Sequence, residues 1–355
     1  MGRQELDLTA RALVAEGKGI LAADETVHTL TKRFASLKIE STQDSRRAYR
    51  ELFFTTPDIA SFISGVILQD ETIRQKSSSG AALPEVLSRQ GIIPGIKVDS
   101  GAKPLAGSSD ETVTEGLDGL RERLKDYASR GARFAKWRAV IRISETLPSP
   151  MCVQANAHAL ARYAALCQEQ NLVPIVEPEV LMDGAHTIDR CEEVTGSVLH
   201  AVFDSLYGQR VSLEGMLLKP NMVVSGKDCR TQASIEEVAT ATLRSLRRHV
   251  PSAVPGIVFL SGGQSDILAT SHLNAINRLD PPKPWSISFS YGRALQDSAM
   301  EAWRGKPENL HAAQQAFSHR AKCNSAATLG RYTHSLEGDQ SGLAAEVHRS
   351  EWHDD

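Results

Sequence analysis

What the chain lacks narrows its class before any motif is read. No apolar run approaches the roughly 18–20 residues that a membrane helix needs, so no membrane partner is expected. The first residues are charged and amphipathic. They contain no apolar core of a signal peptide, and they carry acids that transit peptides avoid, so a cytoplasmic protein is expected. Five cysteines (Cys152, Cys167, Cys191, Cys229 and Cys323) form no C-x-x-C pair and no even framework, which reads as reduced, buried thiols. Neither sign of charge dominates: 40 Lys plus Arg face 43 Asp plus Glu. That balance excludes a dedicated nucleic-acid binder and an acidic disordered chain. No Pro/Gly/Ser linker and no short-period repeat divides the sequence. There is no P-loop, no G-x-S-x-G elbow, and no G-x-G-x-x-G after the first apolar run. The 11 histidines are scattered, with no H-x-H, no HExxH and no Cys/His cluster at ligand spacing, so no metal site is expected.

What is present is a rhythm. Short apolar runs rich in Val, Ile and Phe recur at 19–24, 64–69, 93–99, 134–140, 172–179, 215–220, 256–261 and 285–290. Runs of this length read as strands buried on both faces, as in parallel sheets. Amphipathic stretches of helical length separate them, at 41–54, 110–130, 151–170, 183–207 and 235–249, with another at 309–324 after the last run. A length of 355 residues suggests two domains. Eight strands alternating with helices instead predict one (β/α)8 TIM barrel over residues 1–336. The polar residues 337–355 are expected to form a mobile tail. A doubly wound open sheet is the structural alternative, and it would ordinarily advertise a glycine-rich dinucleotide turn.

Barrel enzymes place their chemistry at the C-terminal ends of the strands. Here the first run ends in Asp24 and the third carries Lys97. The fourth holds Lys136 and Arg138, the fifth Glu177 and Glu179, and the sixth Lys219. The seventh runs into Ser261-Gly262-Gly263, and the eighth into Ser290-Tyr291-Gly292-Arg293. One charge at a strand end is ordinarily just solvated. Seven strands out of eight are harder to dismiss, and the competing reading of the set is a structural ion network. Residues two apart on a strand share a face, so Lys136 and Arg138 point together, as do Glu177 and Glu179. Buried charge of this kind is costly unless paired or used. The three lysines suit phosphate binding. A lysine in an apolar setting, such as Lys219, also suits attack on a ketone to form a Schiff base, with Glu177 and Glu179 moving protons. The two glycine-serine turns after the last strands sit where barrels frequently build phosphate sites, and Arg293 adds a fork for phosphate oxygens.

These blocks resemble the class I fructose-bisphosphate aldolase family. The resemblance runs from Gly19 to about Tyr332. It is carried by Leu21-Ala-Ala-Asp-Glu25, Gly95-Ile-Lys-Val-Asp99, Phe134-Ala-Lys-Trp-Arg138, Val176-Glu-Pro-Glu179, Leu217-Leu-Lys-Pro-Asn-Met222, Phe259-Leu-Ser-Gly-Gly-Gln264 and Phe289-Ser-Tyr-Gly-Arg-Ala-Leu295. It implies metal-independent, reversible cleavage of fructose 1,6-bisphosphate in glycolysis, gluconeogenesis or carbon fixation, with a covalent lysine imine and no cofactor. Lys219 would be the Schiff-base lysine, Glu177 the principal acid/base with Glu179 beside it, and Lys136 an assisting cation. Asp24 would take the hydroxyl proton when the carbon–carbon bond breaks. Ser261, Gly262, Gly263, Ser290, Gly292 and Arg293 would grip one phosphate. Lys97, Arg138, Arg33, Arg46, Thr26 and Thr29 would serve the rest of the substrate, and a homotetramer is expected.

Two departures stand out. Thr26 follows the acidic pair where the family usually has serine, although Thr26 and Thr29 keep hydroxyls. Animal members end in a tyrosine that helps proton exchange on the enamine, whereas no tyrosine follows Tyr332 here. Residues 40–49 and 96–104 look more like bacterial or plant-type members. Sedoheptulose 1,7-bisphosphate cleavage, a transaldolase-like reaction and an inactive binding barrel remain as alternatives.

Overall fold

The computed structural model describes residues 2–338. Of the expected tail, only Glu337 and Gly338 fall among the described residues; the remainder lies outside them.

The eight apolar runs are the strands of a closed, all-parallel barrel: β1 Gly19–Ala22, β2 Ile63–Leu68, β3 Ile93–Lys97, β4 Phe134–Ile141, β5 Val173–Val180, β6 Leu217–Leu218, β7 Gly256–Phe259 and β8 Ser286–Tyr291. Each strand pairs with its sequence neighbours, and β1 closes the ring on β8. The fold is therefore the TIM barrel that the alternating runs predict.

The period-2 pleat explains how one barrel interior is greasy at one end and charged at the other. Ile20, Ala22, Ile67, Phe134, Val173, Ile175, Leu217 and Val258 pack into one interior cluster. Leu6, Ala10, Leu13 and Val14, from the N-terminal helix Gly2–Leu13 and its exit, join them. The helix thus plugs the barrel where the strands begin. The same parity then continues up each strand. Ile20 and Ala22 lead to Asp24, Phe134 to Lys136, Val173 and Ile175 to Glu177, and Leu217 to Lys219. The opposite faces pack against the helical layer in a second, larger core.

Two glycines make the plug possible. A β-carbon at Gly95 would lie 2.3 Å from the Phe134 ring, and one at Gly256 would lie 2.6 Å from Val14. Only glycine leaves those side chains room.

Two expected helices differ from the structure. The stretch 110–130 is helical only over Leu120–Ser129. Thr112–Thr114 instead pairs antiparallel with Ala102–Pro104. β-Branched Thr112-Val113-Thr114 favours extended backbone. Gly116 and Gly119 then take positive φ, which stops a helix from running through. The expected helix at 183–207 begins only at Ile188, capped by Thr187. Residues 182–186 form a loop that grips the loop after β6: Gly226 N–H donates to His186 O, Lys227 N–H to Met182 O, and Asp228 N–H to Gly184 O. Glu337, assigned to the tail, is held against helix Leu310–Thr328 by Arg320.

Gly95→Ala is expected to lose about 1–3 kcal/mol by overpacking. Leu13→Ala, which empties the plug, is expected to lose about 2–5 kcal/mol. Urea unfolding followed by circular dichroism checks both, and an unchanged midpoint for Gly95→Ala would contradict the close packing.

Candidate active site

At the strand ends the interior side chains meet as a chain of alternating charge. Lys219 Nζ lies 3.1 Å from Glu177 Oε1. Lys136 Nζ lies 3.2 Å from Glu177 Oε2 and 2.6 Å from Asp24 Oδ2. Lys136, Glu177 and Lys219 are all buried. Glu177 Oε2 accepts no aligned hydrogen bond, so one oxygen of the central carboxylate has a free lone pair.

Local structure fixes each member. β6 is only two residues long, but Lys219 N–H still donates to Val176 O at 2.8 Å, which holds the lysine in the barrel wall before Pro220 turns the chain. Lys136 sits directly opposite Lys97 in the register of β3 with β4, and Arg138 opposite Glu177 in that of β4 with β5.

The electrostatics follow from burial set against neighbouring charge. Burial pushes the Asp24 carboxyl up, but the Lys136, Lys219 and Lys97 cations outweigh it and hold Asp24 well below the ordinary carboxylate range. The Glu177 carboxyl is likewise raised by burial and brought below its ordinary value by Lys136, Lys219 and Arg138. Burial would strip Lys136 of its proton. The carboxylates of Asp24, Glu177 and Asp99 more than reverse this and keep it cationic well above the usual lysine range.

The remaining expected residues divide into two groups. Ser261, Gly262 and Gly263 form a turn with φ of +59° and +82° at the glycines. Gly292 caps helix Arg293–Trp303, whose free N–H groups begin beside the end of β8. The Ser290 hydroxyl is buried without a hydrogen-bond partner. A β-carbon at Gly263 would lie 3.2 Å from Lys227 Nζ and 3.6 Å from Arg293 Nη2, so two cations converge on this turn. Lys227, paired with Asp183 at 3.0 Å, escaped the sequence reading because it lies in a loop rather than at a strand end.

On the other side, the cations already have partners. Lys97 donates to the carboxylate and carbonyl of Asp99. Asp99 also receives the Gly101 and Arg138 N–H groups. Arg138 donates to Glu179. Arg33 is bound by Glu25, Asp297 and Gln296. Arg50 shares Glu25 with it from a fully buried position. Arg46 forks onto Glu71 at 2.6 and 2.8 Å. Thr26 caps helix Val27–Ser36, its hydroxyl accepting from Thr29 N–H at 3.1 Å. Asp99, Glu25, Arg50 and Glu71 were not singled out from sequence. Nothing in their local sequence gave a sign of the partners they would meet.

A parallel barrel with a buried Lys–Glu–Lys–Asp chain at its C-terminal mouth belongs to the class of barrel enzymes with a lysine-centred site. Comparison with known proteins narrows the class. Residues 5–351 match the family described as fructose-bisphosphate aldolase class-I. The chain is 57% identical over 333 residues to a probable fructose-bisphosphate aldolase class 1 of Xanthomonas axonopodis pv. citri, covering 94% of this chain and 99% of that one. It is 54% identical over 328 residues to a cytosolic fructose-bisphosphate aldolase of Arabidopsis thaliana, covering 92% and 84%. The fold superposes with a TM-score of 0.92 and 49% identity on the fructose-bisphosphate aldolase of Plasmodium falciparum, solved with TRAP and a small-molecule inhibitor, covering 94% and 96%. The chain belongs to the class I fructose-bisphosphate aldolase family and is a lyase.

Membership implies a sugar bisphosphate as substrate. If Lys227 is the second cation for one phosphate, Lys227→Met raises KM about tenfold, equivalent to about 1.4 kcal/mol, with kcat within a factor of two. Steady-state kinetics check this, and an unchanged KM would contradict it. A second prediction follows from Asp24. Its folded pKa lies below the unfolded value, so its ionised form stabilises the fold above pH ~4, and this contribution fades as pH falls further. The gap in Tm between wild type and Asp24→Asn is therefore widest near neutrality and narrows below pH ~4. A gap independent of pH would count against the ion pair.

Proposed function

We propose that the barrel mouth reversibly cleaves fructose 1,6-bisphosphate into dihydroxyacetone phosphate and glyceraldehyde 3-phosphate through an imine on Lys219. The observation that carries this reading is the unbroken chain Lys219–Glu177–Lys136–Asp24.

A lysine must shed its proton to attack a ketone, and Glu177 Oε1 is within reach of Lys219 Nζ. Lys219 Nζ adds to the second carbon, and the proton that the nitrogen then sheds is taken up by the carbonyl oxygen to give a carbinolamine. Glu177 then returns a proton to that hydroxyl, which leaves as water. Lys136, held cationic by Asp24 and Glu177, favours the charged transition states of both steps without giving up its own proton. Asp24, held ionised, accepts the proton of the hydroxyl on the fourth carbon. The bond between the third and fourth carbons breaks, its electron pair flows into the protonated imine, and the aldehyde half leaves. The enamine is protonated on the third carbon and hydrolysed to release the ketone half. The imine is its own electron sink, so the reaction needs no cofactor.

Ser261, Gly262, Gly263, Ser290, Gly292 and Arg293 would hold the phosphate on the first carbon. Lys97, Arg138, Thr26 and Thr29 would line the other end, with Glu179 orienting Arg138. Arg33 and Arg46 would reach the substrate only by exchanging their present carboxylate partners. A cytoplasmic homotetramer fits this reading, and sedimentation equilibrium tests the assembly.

Borohydride with dihydroxyacetone phosphate should trap one adduct, which peptide mapping places on Lys219. An active Lys219→Ala variant, or turnover abolished by chelator, would sink the mechanism. Glu177→Gln is expected to slow turnover about 10²–10⁴-fold with the fold intact. A collapsed Tm for that variant would instead mark a structural ion network. Turnover on sedoheptulose 1,7-bisphosphate in the same assay sets the substrate preference.

A further inference from the structure

One group of metal-capable side chains lies outside the barrel mouth, on the outer helical layer. His319 and Cys323 stand one turn apart on helix Leu310–Thr328 and share a face. The short turn His334–Glu337 folds back against that face and brings in Glu337. His319 Nε2 lies 3.4 Å from Glu337 Oε2 and 3.7 Å from Cys323 Sγ. All three donor atoms fall within 4.8 Å of one another, the one such convergence of three His, Cys, Asp or Glu among the described residues.

We propose that His319, Cys323 and Glu337 form a zinc-binding site that pins the His334–Glu337 turn to the outer helix, with water in the fourth position. The spacing carries the proposal. Tetrahedral zinc, with bonds of about 2.0–2.1 Å to nitrogen or oxygen and about 2.3 Å to sulfur, holds its ligand atoms roughly 3.3–3.6 Å apart. The separations from His319 already match this within a few tenths of an ångström.

The carboxylate is also aimed. The Tyr332 hydroxyl donates to Glu337 Oε1 at 2.6 Å, and Arg320 donates to Oε2. Contacts of this kind orient a ligating carboxylate and leave Oε2 a second lone pair for the ion. The charges close as well. A thiolate and a carboxylate balance the dication, while Arg320 has a second carboxylate in Asp266, 3.4 Å from its Nε. Cys323 is buried, whereas the His319 side chain is 38% exposed, which gives an ion its entry route and a water its place. One sulfur and one imidazole favour zinc over magnesium or calcium, which prefer oxygen. No metal site was expected from the sequence, because His319 and Cys323 are only two donors and the third, Glu337, lies beyond the helix and arrives only through the turn.

The test titrates the full-length, chelator-stripped protein with Zn²⁺ and, separately, with Co²⁺. Wild type should take up a single equivalent of zinc per chain, gain several degrees in Tm, and show a thiolate-to-cobalt charge-transfer band. Cys323→Ser should lose that band. His319→Gln, at a partly exposed position, should weaken zinc uptake at least tenfold whether or not the cysteine variant folds. Cys229→Ser, at a thiol elsewhere, should leave both signals intact. No stoichiometric uptake by wild type, or unchanged uptake in His319→Gln, overturns the proposal. Aldolase turnover should be the same with and without zinc, so this outcome is independent of the lysine mechanism.

Discussion

Everything at the barrel mouth depends on one buried carboxylate lying between two lysines. Glu177 touches Lys219 through one oxygen and Lys136 through the other. Without it, Lys219 would have no carboxylate partner in the barrel mouth. With it, each lysine has a counter-charge. Asp24 then balances the remaining excess on Lys136. Buried charges rarely stabilise a fold as well as apolar packing of the same volume. Their retention here is intelligible as preorganisation, because the groups that must exchange protons during imine formation are already in contact before substrate arrives.

The barrel makes that arrangement affordable by dividing its interior along the axis. The N-terminal helix and the first inward residues of each strand form an apolar plug, and the charged layer is built on top of it. Because the pleat alternates strictly, the same face of the same strand supplies both layers. Glycines at positions such as Gly95 and Gly256 let the plug close tightly. The plug therefore serves the chemistry by fixing the strand ends from which Asp24, Lys136, Glu177 and Lys219 project.

The two ends of the substrate site are prepared differently. Around Gly262 and Gly263, Arg293 and Lys227 converge on a positive-φ turn beside the start of a helix. Around Lys97, Arg33 and Arg46, every cation is already tied to a carboxylate. The first end offers a phosphate Arg293 and the N–H groups of the helix start, while Lys227 is paired with Asp183. The second must exchange partners to bind, and it is where the chain carries Thr26, spent here on capping a helix.

Much of this was legible in the sequence. Eight buried runs separated by helical stretches specify a parallel barrel, because few other folds bury that many short strands on both faces. The pleat put Lys136 with Arg138 and Glu177 with Glu179 on shared faces, but which face looks into the barrel came from the structure, where Phe134 and Val173 pack in the interior cluster. Local signals failed where they competed: the helical reading of the stretch 110–130 was overruled in its first half by β-branched residues and two glycines. The sequence by itself determined which residues could carry charge into the barrel and at what height. Only the tertiary structure decided which charge meets which. Glu177 between two lysines, Glu25 between two arginines, Lys227 beside Gly263 and Glu337 beside His319 all join residues from separate elements. Closure of the barrel and the packing of its loops set those distances, and no spacing along the chain encodes them.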